Sequence, residues 1–112
     1  KHISLEIDIF NASLEIDKAI PCALIINELV TNSIKHAFPN NSNGTIRIKM
    51  YVENGKFFLI VYDNGVGLPG NFRIDKSPSL GLQLVTILVE QLKGTISART
   101  GEGTYYTIAF DF

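Results

Sequence analysis

The sequence predicts an α/β two-layer sandwich, in which a mixed, largely antiparallel sheet of about five strands carries helices on one face. Three observations lead there. Several stretches alternate apolar and polar residues at the period of a half-buried strand. Asn54-Gly55 sits between two such stretches and is a strong signal for a two-residue hairpin. Two long helical stretches are separated by strand pairs rather than by single strands, which disfavours a doubly wound parallel sheet.

In chain order, Ile3 to Phe10 alternates, with Ile3, Leu5, Ile7 and Ile9 set against Ser4, Glu6 and Asp8. It reads as a half-buried strand. Asn11-Ala12 reads as a turn, and Ser13 to Ile16 as a short second strand. Asp17 is suited to cap the helix that follows. Pro21 disfavours helical geometry at Ile20, so the helix is expected to start nearer Pro21. It ends around Phe38-Pro39, before a loop of Asn, Ser and Gly. Thr45 to Val52 alternates, with Ile46, Ile48, Met50 and Val52 on one side. Phe57 to Tyr62 is nearly all apolar, as expected of a central, covered strand. Asn71 to Ser79 is polar, contains a proline and has no periodicity, which suggests a mobile segment. Ser79 is placed to cap a second helix, along which Leu80, Leu84, Val85, Leu88 and Leu92 keep helical spacing until Gly94. Thr95 to Thr100 and Thr104 to Phe112 form a last strand pair around Gly101-Glu102-Gly103.

The first helix is the most informative element. At about 100° per residue, Asn32 falls about 40° and Lys35 about −20° from Glu28, so acid, amide and cation share one narrow stripe. Ile26, Leu29, Val30, Ser33 and Ala37 lie opposite, on the side a core-facing helix buries. A solvated face would also carry Glu and Lys, but Asn is a mediocre helix former that gains nothing on an open surface. A carboxylate base, an amide oxygen that ligates hard metals and a nearby cation suit Mg²⁺-phosphate chemistry.

Three further motifs are individually weak. Asp63 ends an apolar strand beside Gly65 and Gly67. Its carboxylate could accept from an exocyclic amine while the glycines let backbone approach a flat ring, although Asp-Asn-Gly is equally ordinary turn chemistry. Ser79-Leu80-Gly81-Leu82 opens a helix whose free N–H groups favour phosphate, or is a plain N-cap. Gly103-Thr104 begins the last strand, or simply leaves a hairpin turn. The segment between Asp63 and the second helix has the length of a lid. Chance yields each piece often and the ordered set rarely.

Composition limits the alternatives. Of 112 residues, 46% are apolar and 19% charged, an ordinary globular balance rather than a disordered tail. The formal net charge of −1 with no basic block disfavours nucleic acid as the main partner. No apolar run approaches the roughly 20 residues that span a bilayer, so no membrane contact is expected of this domain. One cysteine, Cys22, excludes an intrachain disulfide and reads as buried filler. Widely spaced histidines and cysteine make no zinc pattern. Lys1 opens the chain in place of Met, with no visible signal peptide, so a single domain over residues 1–112 cut from a longer protein is expected.

Together the motifs resemble the ATP-binding catalytic domain of two-component sensor histidine kinases, within the wider family of gyrase-type and mismatch-repair ATPases. Asn27 to Pro39 resembles the N-box, particularly in its Lys35-His36-Ala37-Phe38-Pro39 ending. Asp63-Asn64-Gly65-Val66-Gly67 resembles the G1 box, Ser79-Leu80-Gly81-Leu82 the G2 box, and Gly101-Glu102-Gly103-Thr104 the late Gly-x-Gly-Thr. The resemblance spans essentially the whole chain and implies a Bergerat-type fold, with ATP and Mg²⁺ as cofactors. By the same resemblance, Asn32 would ligate Mg²⁺ and Glu28 would orient or deprotonate the acceptor histidine. Lys35 and His36 would contact phosphate or ribose. Asp63 would bond the adenine amine with help from Thr104, and Gly65 and Gly67 would shape the adenine pocket. Leu80, Gly81 and Leu82 would hold phosphate.

The resemblance further implies a histidine-bearing dimerisation domain of the same parent protein as partner, a response regulator indirectly, and a cytoplasmic setting. The G2 region has fewer glycines than many relatives, and Phe72 is the sole aromatic of the short lid. The helical hairpin that bears the acceptor histidine is absent from these residues, and His2 lies in a strand-like run unsuited to that role. The same set would also suit an ATP hydrolase of the superfamily, or an anti-sigma-type partner-switching module. Asn32→Ala and Asp63→Ala are expected to abolish Mg²⁺-dependent and adenine binding respectively, each with the fold intact.

Overall fold

A computed structural model describes residues 2–9, 13–40, 42–70, 72–74 and 79–112. The expected turn at Asn11-Ala12, and most of the expected lid between Asn71 and Ser79, lie outside the described residues. Within them the elements are β1 (Ile3–Ile9), α1 (Ile16–His36), β2 (Gly44–Glu53), β3 (Lys56–Asp63), α2 (Leu80–Gln91), β4 (Thr95–Gly101) and β5 (Gly103–Asp111). The strands form one five-stranded sheet in the order β1-β2-β3-β5-β4. β1 runs parallel to β2, and the other pairs are antiparallel. Both helices pack on the same face. The two-layer, mixed architecture expected from the strand pairs is therefore the one observed.

Strand periodicity sets the core and then the site. β3 is the central strand, and its alternate residues Phe57, Leu59, Val61 and Asp63 are buried. Successive strand side chains point to opposite faces, so Asp63 follows the three apolar residues onto the helix-covered face. β5 does the same with Thr104, Tyr106, Ile108 and Phe110, all buried. The β3–β5 register sets Asp63 directly opposite Thr104. Asn54 and Gly55 link β2 to β3 with φ of 53° and 75°, as a type I′ turn requires.

Around the start of α1, three expectations differ from the structure. Residues 13–15 form no strand, and Ile16 already belongs to α1, so the helix starts five residues before Pro21. Asp17 lies in the first turn rather than at the cap. Glu15 is the N-cap residue, and its carbonyl accepts from the N–H of Lys18 and Ala19. The restriction that proline places on Ile20 is a preference rather than a prohibition. Burial of Pro21 and Cys22 against the core outweighs it.

On α2, Leu82, Val85, Leu88 and Val89 are buried, as is Leu92 at its C-cap, whereas Leu80 and Leu84 face outward. The helix is apolar almost all round, so spacing alone left its rotational phase open. On β1, Leu5, Ile7 and Ile9 are more than half exposed, because the strand lies at the sheet edge and α1 packs over β2 and β3 instead. Among the described residues, no helix is long and apolar enough to cross a membrane.

Candidate functional site

The polar stripe of α1 faces two adjoining hollows. The larger is a cleft of about 120 Å³ between Glu28, Thr31, Asn32, Lys35 and His36 on α1 and Ser79, Gly81 and Leu82 at the start of α2. The smaller, about 30 Å³, lies over the ends of β3 and β5, where Asp63, Thr104 and Tyr106 meet Asn32, Ser33 and His36, with Gly67 and Leu68 at the margin. Asn32 and His36 border both hollows. A helical face and a strand end 31 positions apart in the sequence are thus brought to one place. Leu80 borders neither hollow and is 81% exposed.

Asp63 is held rigidly. Its Oδ2 accepts a 2.7 Å hydrogen bond from Ser33 Oγ, and its Oδ1 accepts one of 3.0 Å from the Gly65 N–H. A buried carboxylate needs such partners. Each oxygen keeps a further lone pair for a donor in the hollow. The following turn is tied down on three sides. Asn64 exchanges hydrogen bonds with the Thr45 backbone, and Val66 N–H donates to the Ala37 carbonyl at the end of α1. Leu68 N–H donates to Thr100 Oγ1 at 2.7 Å. A side chain on Gly65 would collide with the Ala37 carbonyl, so glycine permits the turn to seat against α1. Gly67 has φ 81° and lies against Thr100.

At the other end of the site, Ser79 Oγ accepts from Leu82 N–H and caps α2. Glu28 lies directly over that helix start. A Cβ on Gly81 would stand 2.7 Å from Glu28 Oε2, so the absence of a side chain there lets the carboxylate approach the N-terminal turn. The dipole of a helix and the N–H groups of its first turn favour negative charge at such a point.

Tyr106 is 1% exposed, and its hydroxyl has no hydrogen-bond partner. Burial pushes the phenol up to about 12, the Asp63 charge adds to the rise, and the neighbouring Asn32 side chain opposes it.

The donor set also bears on metal. Among the described residues no three His, Cys, Asp or Glu side chains cluster to hold an ion by themselves. Mg²⁺ does not require such a cage, since it takes one or two protein oxygens together with waters and substrate phosphates. The half-buried Asn32 amide at the junction of the hollows, with Glu28 one turn away, fits that mode.

Neither hollow as it stands approaches the roughly 300 Å³ typical of a pocket for a ligand of nucleotide size. Two hollows elsewhere are larger. One of about 360 Å³ lies beside Asp17, Lys18 and Asp111, and an apolar trough of about 350 Å³ lies along Ile3, Leu5 and Ile34. The α1 stripe and Asp63 border neither of them.

Sequence reasoning placed Ser33 in the core but missed its bond to Asp63. It also missed Thr100 and Tyr106. The available signals were a hydroxyl on an otherwise apolar helix stripe and a tyrosine at an inward position of a strand. Both are polar groups that need partners once buried.

A five-stranded mixed sheet with two helices on one face, and a polar site between the first helix and the central strand end, form the two-layer α/β arrangement that the sequence motifs implied. The chain belongs to the family of histidine kinase-, DNA gyrase B- and HSP90-like ATPases, whose family model matches residues 17–112. It is 40% identical over 88 residues to the sensor histidine kinase PdtaS of Mycobacterium tuberculosis, a match covering 77% of this chain and 18% of that protein. It is 38% identical over 53 residues to the anti-sigma F factor of Geobacillus stearothermophilus, covering 47% of this chain and 36% of that one. Among solved structures, the blue-light activated histidine kinase of Erythrobacter litoralis superposes with a TM-score of 0.92 at 24% identity. That match covers 99% of this chain and 36% of that one, and it is a likeness of fold. The chain thus spans less than a fifth of the length of the mycobacterial kinase.

Proposed function

We propose that this chain is a single catalytic domain of a longer, cytoplasmic sensor kinase. It binds Mg²⁺-ATP across the two hollows and passes the γ-phosphoryl group to a histidine on a separate dimerisation domain. The observation that carries the reading is the sharing of Asn32 between the hollow of Asp63 and the cleft of Glu28, Lys35 and Gly81. That arrangement supports one elongated ligand with a base at one end and phosphates at the other.

Asp63, fixed by Ser33 and Gly65, accepts from the adenine amine, with Thr104 alongside. Gly65 and Gly67 shape that end. Asn32 supplies an oxygen to Mg²⁺, which when bound neutralises phosphate charge. Lys35 and His36 contact phosphate or ribose, and Gly81 and Leu82 border the phosphates. The modest size of the hollows requires outward movement of their margin, at Leu68 and Leu82, before nucleotide enters. Phosphate at the start of α2 must also displace the Glu28 carboxylate from its place over Gly81. Glu28 is then free to take the proton of the acceptor imidazole as its nitrogen bonds to phosphorus and the bond to ADP breaks. Most of the catalysis is positioning and charge stabilisation. A response regulator receives the phosphoryl group downstream, and neither nucleic acid nor membrane contacts this domain.

The test is transfer of labelled γ-phosphate from ATP to the purified histidine-bearing domain of the parent protein, with the chain and with its Glu28→Gln variant. Transfer that is lost in the variant supports the proposal. Steady ATP hydrolysis without acceptor, unchanged by adding it, would instead favour a hydrolase. The similarity to an anti-sigma factor keeps a partner-switching module in view. Nucleotide binding with neither transfer nor turnover would favour that reading.

A further inference from the structure

Among the described residues, the Tyr106 hydroxyl is the one buried side-chain polar atom without a hydrogen-bond partner. An unpartnered buried hydroxyl lowers stability, whereas phenylalanine would fill the same space with no polar atom. A buried tyrosine normally finds a partner for its hydroxyl. Here the neighbour is the Asn32 side chain, which lies beside the hydroxyl but outside hydrogen-bonding geometry. Asn32 and Tyr106 border the smaller hollow together, and Asn32 alone of the pair reaches on into the cleft.

An amide has two chemically opposite ends, an oxygen that attracts a cation and an NH₂ that repels it. Which end faces the cleft is decided by what the other end is bonded to. We propose that Tyr106 is a positioning residue for Asn32: on binding of Mg²⁺ and nucleotide its Oη accepts a hydrogen bond from Asn32 Nδ2, which turns Asn32 Oδ1 into the cleft toward Mg²⁺. This rests on the reading of the site as one for Mg²⁺ and nucleotide. The phenolic proton then points into the hollow shared with Asp63 and Thr104. At about 30 Å³ that hollow has room for a water to receive it. Tyr106 approaches from the sheet side, beneath Asn32, and orients the ligand from behind.

The test compares the chain with its Tyr106→Phe variant by calorimetric titration with ADP, once with Mg²⁺ and once with EDTA. The expected result is a fall of about tenfold in the affinity gained from Mg²⁺, the usual scale for losing an outer partner of a metal ligand. Metal-free affinity for ADP should change less than twofold. The ligand-free variant should melt at or above the wild type, because an unpartnered hydroxyl has been removed. Electron paramagnetic resonance of Mn²⁺ with ADP should show the same loss as weaker ion binding. A carboxylate has no wrong end, so in the Asn32→Asp background Tyr106→Phe should cost no further Mg²⁺-dependent affinity.

A full Mg²⁺ gain in Tyr106→Phe overturns the inference. So does an equal loss with and without metal, or the same loss in the Asn32→Asp background, since each marks a role other than orienting the amide. If the wild type binds no nucleotide, the function proposed above falls and takes this inference with it. If ADP binds and Asp63→Asn abolishes binding while Tyr106→Phe leaves the Mg²⁺ gain intact, the inference about Tyr106 alone fails.

Discussion

Ser33, from the buried stripe of α1, donates a 2.7 Å hydrogen bond to Asp63 at the end of β3, joining residues 30 positions apart. The bond does two jobs, as a link between the helical layer and the sheet and as the clamp that fixes one carboxylate oxygen.

Ser33→Ala should therefore affect both stability and binding. Removing one partner of a buried charged hydrogen bond costs about 1–3 kcal/mol. Urea denaturation should show a loss in that range. ADP affinity should fall roughly tenfold, by the same reasoning about an unpartnered group, because Asp63 is no longer held by both oxygens. A variant as stable as the wild type would mean that the bond contributes nothing net.

The same geometry revises what to expect of the two simplest site variants. Asn32 is half-buried and borders cavities, so Asn32→Ala should change stability by about 0.5 kcal/mol or less. It should still abolish the Mg²⁺-dependent part of nucleotide affinity. Asp63→Ala differs, because it strands the Ser33 hydroxyl and the Gly65 N–H as well as removing the carboxylate. Loss of binding in that variant would be confounded with loss of fold. Asp63→Asn keeps the shape and one acceptor oxygen, and it sets a donor against the adenine amine. Thermal melts paired with ADP titrations should find the Asn variant folded and unable to bind. Wild-type affinity in Asp63→Asn would rule out the adenine contact.

Much of this site was legible because periodicity carried it. Glu28, Asn32 and Lys35 share a helix face by angle alone, and Asp63 inherits its inward direction from Phe57, Leu59 and Val61. The two-layer sheet followed from the Asn54-Gly55 hairpin and the strand pairs. Other features depend on contacts that no local pattern encodes. The insertion of β5 between β3 and β4, which sets Thr104 beside Asp63, is a tertiary pairing. The start of α1 was misplaced because the local effect of Pro21 was outweighed by its burial. The phase of α2 was left open because leucine lies on nearly every side of it. Ser33 and Tyr106 carry their roles through a single atom each, invisible until the facing element is known.

Alkaline pH should destabilise the fold, with a sign that follows from two buried groups. Burial raises the Cys22 thiol from its usual value near 9 to about 11. The Tyr106 phenol rises from near 10 to about 12, first through burial and then through the Asp63 charge. In both cases the unfolded chain loses its proton at lower pH than the folded one. Their full contribution is present below pH 9 and is lost as pH climbs through the interval from about 9 to 12. Denaturation midpoints should be level with respect to these groups at neutral pH and fall across that interval. Cys22→Ser should remove the slope between about pH 9 and 10 and leave only the Tyr106 part above it. At pH 8 the native thiol should resist alkylation until the chain unfolds, since thiolate is the reactive form. Rapid labelling of folded protein would contradict its burial.

Gly103 supplies the most severe test of how the site end is built. It has φ 105°, a conformation that side chains resist, and it precedes the Thr104 that faces Asp63. A Cβ there would run into the Asp63 carbonyl, which is backbone and has little freedom to give. Gly103→Ala therefore combines an unfavourable dihedral with a collision at the strand pair that carries the adenine contact. The dihedral alone costs on the order of 1–3 kcal/mol. Guanidinium denaturation should register at least that loss. The strain can be relieved only by moving β5 away from β3, so ADP affinity should fall even under conditions where the variant is folded. Gly101 offers the control in the same hairpin, because a Cβ on it meets nothing within 4 Å. Gly101→Ala should leave both measurements close to wild type, and equal damage from the two substitutions would mean that the turn, rather than its contact with Asp63, is what the site depends on.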